Sequence, residues 1–371
     1  MSDQKPLLSI CIPTYNRSKF LRVMLQALLP QVAEFGEQVE VWVIDNASPD
    51  ETPAVVEESR ALGPFQCFRN ESNIGPLLNV LKGPCELATG EFVWVLGDHN
   101  LMMPGALSRI LEELRSHPQF KLFYANFNCA RYPEHWPALA LNGFSGTTEY
   151  IANSELKNLE IHHWHELLRP SSALCTQVYA HIVQTSIWNS YWRDRHFGDA
   201  HTCSLTTYPH TQMIAESCFN EPAYYMGTPA ITIFNGAQSW SQLKTQLNVY
   251  CYGLPQLIHL FRALGCSAER VARFEEEFAV PATRDVLLRS CKHSGVAMTV
   301  REVLRMSKAG SYVRRSLRHV VLEYMFPKAS NTLDDAHRWY MSRHQWWLYN
   351  CRPVRWFRSL SKRSSVSSTS H

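Results

Sequence analysis

The sequence predicts an α/β fold: a mostly parallel sheet flanked by helices, with a helical C-terminal extension. Three observations carry this prediction. Through the first 125 residues, short apolar runs alternate with segments of helical period. Successive runs end in polar residues, at Thr14–Arg17, at Asp45 and at Asp98–Asn100. Beyond residue 247 the apolar residues recur only at helical spacing. Alternating strands and helices of this length favour a parallel sheet with right-handed crossovers.

The individual elements follow from apolar spacing and from the residues at their ends. Strands are predicted at residues 7–12, 39–44, 65–68, 92–96 and 120–127. Helices are predicted to begin near Ser18 and Asp50, and a third follows Gly75. After residue 127 the periodicity weakens; we expect a strand over 178–188, a helix starting at Pro209 and a further apolar strand over 224–234.

Composition limits the classes of protein. With 371 residues, 45% hydrophobic and 19% charged, the chain is expected to fold into a globular protein with a sizeable core. Eleven cysteines without a C-x-x-C pair argue against a zinc cage or a disulfide framework. We see no signal peptide and no apolar run long enough to span a membrane, so we expect the protein to stay on the cytoplasmic side.

The polar strand ends predict a nucleotide crevice. In an open α/β sheet, ligands bind outside the carboxyl ends of the strands. Asp45 can accept a hydrogen bond from a base edge, and Asn16, Arg17 and Asn73 can contact ribose or phosphate. The sequence contains neither G-x-G-x-x-G after the first strand nor G-x-x-x-x-G-K-[ST], which disfavours a dinucleotide or P-loop site. For the Gly-Asp-His-Asn turn alone, a plain tight turn is an equally good interpretation.

Four motifs together resemble a known family. They are Ser9–Arg17 (SICIPTYNR), Val43–Ser48 (VIDNAS), Asn73-x-Gly75, and Gly90-Glu91 through Gly97-Asp98-His99-Asn100. In this order and spacing they resemble the N-terminal domain of family 2 glycosyltransferases, which have the GT-A fold. The resemblance implies a nucleotide-sugar-binding half over 1–125, an acceptor-binding half over 126–246 and a helical, basic region with a disordered end over 247–371.

The resemblance also implies residue roles. Asp45 would read the base of a nucleotide diphosphate sugar. The implied donor-binding set is Pro13, Thr14, Asn16, Arg17, Asp45, Asn73, Gly75, Asp98 and His99. Asp98 would be the first acid of the family's D-x-D motif, whose last acid holds a divalent cation, Mg²⁺ or Mn²⁺. This chain has Asn100 at that position, and a neutral amide oxygen ligates such a cation more weakly than a carboxylate does.

The region after residue 127 supplies candidates for the remaining chemistry. Inverting members of the family use an acid at the start of a helix as general base, and Pro209-His210 occupies that place here. His210 is the first candidate base and Asp199 the second, while capping of the helix by His210 is an equally good interpretation. His162–Glu166 could suggest a metal, but without a second ligand cluster it favours a loop or helix start. Asn235, Gln238, Ser239 and Trp240 are weak candidates for contact with the diphosphate.

The C-terminal part carries the basic character of the chain. Residues 289–371 contain 16 Lys and Arg against 4 Asp and Glu, a surplus of +12, whereas the preceding 288 residues carry −9. From Arg314 onward, basic residues alternate with tryptophans. This composition suits the inner face of an anionic membrane, and a solvated helical face is the alternative. No nucleic-acid-binding motif accompanies it.

These observations predict an inverting glycosyltransferase, transferring a hexosyl or deoxyhexosyl group to a glycan or lipid-linked glycan in bacterial surface polysaccharide or O-antigen synthesis. Two alternatives come from other classes. A sugar-nucleotide pyrophosphorylase should have a Gly-rich, Arg- and Lys-bearing loop after the first strand, and Pro13–Arg17 is not such a loop. A non-catalytic nucleotide-sugar-binding or scaffold protein of a polysaccharide assembly complex is suggested by the missing third acid.

Overall fold

The computed structural model describes residues 5–132, 136, 150–151, 157–195, 199–237, 242–292, 306 and 309–325. Within these ranges the chain forms a ten-stranded sheet flanked by helices. The strands are β1 Leu8–Thr14, β2 Val39–Asp45, β3 Gln66–Arg69, β4 Phe92–Val95, β5 Leu101–Met102, β6 Leu122–Arg131, β7 Tyr150–Ile151, β8 Leu159–Ile161, β9 His181–Gln184 and β10 Ala223–Asn235.

The helices alternate with the strands in the first part of the chain and follow one another in the last part. They are α1 Ser18–Ala33, α2 Thr52–Ser59, α3 Pro76–Lys82, α4 Ala106–Ser116, α5 Thr185–Trp192, α6 Ser204–Thr207, α7 Pro209–Cys218, α8 Leu243–Asn248, α9 Leu254–Ala263, α10 Ala268–Phe274, α11 Val280–Lys292 and α12 Ser311–Met325. None of the helices described is both long enough and apolar enough to cross a lipid bilayer.

The predicted α/β fold is confirmed, and the sheet contains antiparallel pairings beside the parallel ones. Strands β3, β2, β1 and β4 lie side by side in this order and all pair in parallel. Next to them, β9 runs antiparallel to both β4 and β6, and β10 pairs in parallel with β6 but antiparallel with β5 and β8. The sheet is therefore mixed, because β9 comes from a segment without the strand–helix alternation.

The predicted elements of the first 131 residues are confirmed with small shifts in their ends. The apolar stripe of α1, which includes Phe20, Leu21 and Met24, is buried against the sheet core. The region predicted as a strand over 178–188 contains only β9, and residues from Thr185 form helix α5. A short alternating run does not distinguish a buried helix turn from a strand, which explains the difference.

Close backbone approach explains one glycine, at the start of β4. Gly90 lies beside β1, and a Cβ atom there would meet Ser9 Oγ at 2.5 Å and Ser9 N at 2.9 Å. Its N–H donates to Ser9 Oγ at 2.8 Å. Only glycine therefore lets β4 start this close to β1.

Candidate active site

Asp98 is the centre of a buried polar cluster just beyond β4. Thr14, the last residue of the neighbouring strand β1, donates from Oγ1 to Asp98 Oδ2 at 2.9 Å. Arg17 donates from Nε to Asp98 Oδ1 at 2.8 Å, and His99 Nδ1 lies 3.1 Å from the same oxygen. Asp98 itself is only 4% exposed. We call Thr14, Arg17, Asp98, His99 and Asn100 the Asp98 cluster; both carboxylate oxygens of its acid are engaged within the protein.

The electrostatics of this cluster favour an ionised carboxylate. Burial alone would raise the pKa of Asp98, because it disfavours the charged form. The hydrogen bond from His99 and the positive charge of Arg17 outweigh that effect and lower the pKa below its ordinary value. Asp98 therefore stays negative at neutral pH, and it fixes Arg17 in place as a buried ion pair.

Asn100 closes the turn after β4. Its side-chain oxygen Oδ1 accepts the backbone N–H of Gly97 at 2.6 Å. The residue is fully buried, and its amide nitrogen has no hydrogen-bond partner among the described residues. The amide oxygen that was expected to ligate a cation thus accepts a hydrogen bond within the turn. Among the described residues, the amide nitrogen has no acceptor.

The oxygens at this site do not fit the divalent cation that the resemblance implies. Mg²⁺ and Mn²⁺ need carboxylate or other oxygens with free lone pairs directed at the ion. Of the roughly four acceptor positions of a carboxylate, Asp98 has three engaged by Thr14, Arg17 and His99, and the charge of the Arg17 guanidinium repels a further cation. Asn100 Oδ1 accepts from Gly97. Within the ranges described, no group of three or more His, Cys, Asp or Glu side chains is placed to hold a metal ion.

Asp45 lies at the end of β2 and anchors the turn that follows. It is 1% exposed, its Oδ1 accepts the backbone N–H of Ser48 at 2.9 Å, and its Oδ2 pairs with Arg69. Ala47 in the same turn has φ +59°, a left-handed conformation that costs a residue with a Cβ atom about 1–2 kcal/mol. The role of Asp45 in reading a base stays a prediction; the structure places Asp45 at the end of β2 as the buried anchor of a turn.

The turns after β1 and β2 are joined into one wall. The backbone N–H of Asn16 donates to Ser48 Oγ at 2.9 Å, and Asn46 N donates to Thr14 O at 3.0 Å. Asn16 has φ +55° and is exposed at the turn between β1 and α1. Pro13 and Thr14 precede this turn within β1. The predicted donor-binding residues of the first two strands thus lie in adjoining turns.

Four asparagines, the buried Asn46, Asn70 and Asn79 and the exposed Asn73, form a second polar network, here called the asparagine network. Asn46 Nδ2 donates to Asn73 Oδ1 at 2.9 Å and to Gly75 O at 3.3 Å, and its Oδ1 accepts from Asn70 at 3.1 Å and from the N–H of Ile74 at 2.9 Å. Asn70 also donates to Asn79 Oδ1 at 2.9 Å, and Asn79 Nδ2 donates to Ile44 O at 3.1 Å. Asn73 and Gly75, predicted to bind the donor, are held at the end of β2 by this network.

Sequence reasoning missed a cationic and aromatic wall next to Asp98. The Arg17 guanidinium carbon lies 4.2 Å from the ring centroid of Phe20, and Lys19 Nζ lies 5.0 Å from the same centroid. Tyr132 and Trp136 pack on Phe20 with centroid distances of 5.2 and 4.8 Å. The helical period of α1 assigned Phe20 to the core, and the cation–π spacing i, i+3 to Arg17 was the signal that could have found this wall.

The two candidate bases differ in accessibility. His210 is 4% exposed at the start of α7, its Nε2 lies 3.0 Å from Thr211 Oγ1, and its ring packs 5.6 Å from that of His181. Burial and the nearby His181 lower the pKa of His210 well below its ordinary value, so its imidazole is neutral at neutral pH. Asp199 is exposed, and its backbone carbonyl accepts from Thr202 Oγ1 at 2.8 Å. Either role as a base stays a prediction.

The remaining candidates fall outside the Asp98 cluster. His163 and His165 both point Nδ1 at backbone carbonyls, of Asn220 and Phe219, in and just before a short 3₁₀ turn at Trp164–Leu167, as a loop interpretation predicts. Asn235 is buried at the end of β10. Gln238, Ser239, Trp240 and the tail from residue 326 onward lie outside the described residues.

Fold and site together define a class of protein. A mixed α/β sheet carries a buried acid, its basic partner and an asparagine-lined turn at the carboxyl ends of β1, β2 and β4, the arrangement expected of a GT-A glycosyltransferase. Residues 9–179 match the family model described as Glycosyl transferase family 2.

Individual relatives are similar over part of their length. The chain is 34% identical over 104 residues to the abequosyltransferase RfbV of Salmonella typhimurium, which covers 28% of this chain and 31% of the relative. It is 32% identical over 110 residues to the GalNAc(5)-diNAcBac-PP-undecaprenol beta-1,3-glucosyltransferase of Campylobacter jejuni, covering 29% of this chain and 34% of the relative. The matched segment thus spans about a third of each of these proteins.

Solved structures give more distant similarities. S. aureus TarS 1–349 in complex with UDP-GlcNAc superposes with a TM-score of 0.47 at 14% identity, covering 86% of this chain and 91% of that one. The mannosyltransferase PcManGT from Pyrobaculum calidifontis, in complex with GDP-Man and Mn²⁺, gives a TM-score of 0.45 at 12% identity, covering 88% and 89%.

Proposed function

We propose that this protein is an inverting glycosyltransferase that moves a sugar from a nucleotide diphosphate sugar to a hydroxyl of a glycan or lipid-linked glycan. The observation that carries the proposal is the Asp98 cluster: a buried carboxylate joined to Thr14 and Arg17 at the carboxyl ends of β1 and β4, inside a family 2 segment. Ligands of open α/β sheets bind at this edge.

The donor would lie across the joined turns after β1 and β2. Asp45 uses one oxygen for Ser48 and the other for Arg69, but a carboxylate has about four acceptor positions, so a base N–H has a place to donate. Asn16 is exposed beside it, and Asn73 and Gly75 form the facing loop. Pro13, Thr14 and His99 border the path from this pocket to Asp98.

The chemical step would be a direct displacement at the anomeric carbon. The acceptor oxygen forms the new bond to this carbon while the bond to the diphosphate breaks, and the electron pair leaves with the phosphate oxygen. The acceptor proton passes to a base, His210 or Asp199. Asp199 is exposed and open to an acceptor, whereas His210 is neutral but buried, so its use requires an opening at the start of α7.

The biological context we propose is bacterial surface polysaccharide or O-antigen synthesis, with a hexose or deoxyhexose as the sugar. Support comes from the names of two relatives, one an abequosyltransferase and the other acting on a PP-undecaprenol-linked glycan. A cytoplasmic protein held at the inner face of the membrane by its basic tail would meet such an acceptor. Within α12, Arg315 is already paired with Glu275, so the membrane contact is assigned to residues 326–371.

Donor turnover tests the enzymatic proposal. The purified protein is incubated with UDP-, GDP-, CDP- and dTDP-linked sugars, and release of the nucleoside diphosphate is followed with and without an undecaprenyl-diphosphate glycan. We expect one donor class to be turned over, and Asp45→Ala and Asp98→Ala to lose donor binding. Glu57→Gln is the matched control, since Glu57 is exposed on α2 and pairs with Arg60 just after that helix. Absence of binding to every donor would refute the proposal; tight binding without turnover would support a scaffold protein instead.

Membrane contact has a separate test. Liposomes of anionic lipid are sedimented with the full chain and with a chain ending at Met325, the last residue of α12. We expect the full chain to pellet with the liposomes and the shortened chain to remain in solution. Equal pelleting would remove the proposed role of the tail without affecting the donor site.

A further inference from the structure

The charge around Asp98 is arranged differently from that of a metal-bound acid. A carboxylate that holds a divalent cation leaves its oxygens free for the ion and often for water. Here three side chains, Thr14, Arg17 and His99, engage the two oxygens of Asp98. The positive charge next to the acid is already present in the protein, as the guanidinium of Arg17.

Arg17 is held rigidly and has donors to spare. Its Nε is bound to Asp98, its planar head stacks 4.2 Å from the Phe20 centroid, and the side chain is 15% exposed. Its Nη2 is buried, and among the described residues it has no hydrogen-bond partner. A buried donor without a partner is costly, more so on a charged group, so an anionic acceptor at this position is favoured. Two N–H groups of a guanidinium match two phosphate oxygens.

A second cation lies on the same aromatic ring. Lys19 is exposed, its Nζ lies 5.0 Å from the Phe20 centroid, and it donates to the Tyr132 hydroxyl at 2.9 Å. Lys19 thus adds a second cation beside Arg17 on the surface between α1 and the turn after β4. Such a surface attracts a diphosphate.

We propose that Arg17, positioned by Asp98 and assisted by Lys19, binds the diphosphate of the donor and replaces the divalent cation, so that this chain binds its nucleotide without a metal. The inference rests on the proposed function, since it names the diphosphate-binding group of that same site. In it Asp98 is a positioning residue that orients the guanidinium, and Arg17 contacts the leaving group directly.

Nucleotide binding with and without metal tests this proposal. Affinities of UDP, GDP, CDP and dTDP, and of the matching monophosphates, are measured by calorimetry on the full chain in EDTA and in Mn²⁺. We expect at least one diphosphate to bind in EDTA with an affinity within about twofold of that in Mn²⁺. Binding that falls tenfold or more in EDTA and returns with Mn²⁺ would overturn the inference while leaving the proposed function intact. No binding of any nucleotide would refute both.

Substitution of Arg17 identifies the group responsible. Loss of a charge-assisted bidentate contact should weaken diphosphate binding by about 10- to 100-fold in Arg17→Gln, with little change in monophosphate binding. Arg22→Gln is the matched control on the same helix, because Arg22 pairs with Glu58 at the surface. An equal loss for both nucleotide types would overturn the assignment, since a purely structural role does not distinguish them. If Arg17→Gln does not fold, Arg17→Lys, which retains the charge, takes its place. We expect the lysine variant to lose the preference for diphosphates over monophosphates, and an unchanged preference would contradict the assignment.

Discussion

The asparagine network and the Asp98 cluster lie at the ends of neighbouring strands, and they satisfy their polar atoms in opposite ways. Within the described chain, none of the four asparagines has an unpaired buried side-chain atom. The Asp98 cluster leaves Arg17 Nη2 and Asn100 Nδ2 buried without partners. Buried polar groups that serve only the fold are expected to be paired internally. In the proposed function, the bound donor would complete the hydrogen bonding of Arg17 Nη2.

Removal of Asp98 should have the largest effect of any single change at this edge. Asp98→Ala leaves Arg17 as an uncompensated, largely buried charge, and loss of one partner of a buried ion pair costs about 3–5 kcal/mol. Nucleotide binding should fall as well, because the guanidinium is no longer oriented. Urea unfolding measures the first effect and calorimetry the second. An unchanged free energy of unfolding would show that the pair contributes nothing to the fold.

Acid should lower the free energy of unfolding through a different buried group, the histidine pair His181 and His210. The asparagine network has no side chain that titrates in this range and should not be affected. Burial lowers the pKa of His181 to about 4, whereas in the unfolded chain it is about 6.5. Below pH 6.5 the unfolded state binds the proton and the folded state does not, so stability falls as the pH drops toward 4. Between pH 7 and pH 5 we expect a loss of about 2 kcal/mol from His181 alone.

Unfolding in urea at pH 7, 6 and 5 tests this histidine prediction. His181→Phe should reduce the pH dependence, because one of the two buried histidines that titrate here is gone and His210 remains. His162→Gln is the control, since His162 is exposed. The same slope in His181→Phe as in the unchanged protein would contradict the assignment.

The first half of the molecule could be predicted from the sequence because its signals are local. The strand ends at Thr14, Asp45 and Asp98 follow directly from apolar runs that stop at polar residues, and parallel pairing then brings them together. The second half could not, because β9 enters the sheet between β4 and β6 from a distant segment. Pairing of that kind depends on long-range packing that no short periodicity encodes.

The residue types at the candidate site could be predicted from the sequence, but the contacts between those residues could not. The sequence places Arg17 and Asp98 in motifs 81 positions apart, and nothing in either motif shows that they pair. Likewise Asn100 was expected to face a cation, and its amide oxygen instead accepts from Gly97. Side-chain direction within a turn depends on the backbone path, which the sequence pattern leaves open. The histidine at position 210 was expected near the acceptor, and its burial against His181 follows from the same long-range placement of β9.

Disruption of the asparagine network should lower stability without a direct effect on binding. Asn79→Ala removes one of the two acceptors of Asn70 Nδ2 and the side-chain donor to Ile44 O, and we expect a loss of about 1.5 kcal/mol in the free energy of unfolding. At a temperature where the variant is folded, nucleotide affinity should change less than about twofold. Asn220→Ala, at an exposed position, is the control and should change stability by less than about 0.5 kcal/mol. A loss of binding that matches Asp98→Ala would erase the distinction between the two clusters.

The smallest expected effect lies at Gly75, where the asparagine network meets the donor loop. Gly75 has φ +86° and ψ 161°, a region that residues with a Cβ atom avoid, although no atom lies within 4 Å of the Cβ position. Gly75→Ala should therefore cost about 1 kcal/mol through backbone strain alone. Because Gly75 O accepts from Asn46 and Gly75 N donates to Asn73, relaxation of the strain should displace the loop and weaken nucleotide binding by a few-fold. Gly36→Ala, at an equally open glycine with φ +54° remote from these turns, is the matched control for stability. Unfolding and calorimetry on both variants separate the outcomes: weakened binding in Gly75→Ala alone assigns the loop to the donor pocket, and unchanged binding in both would limit Asn73 and Gly75 to a role in folding.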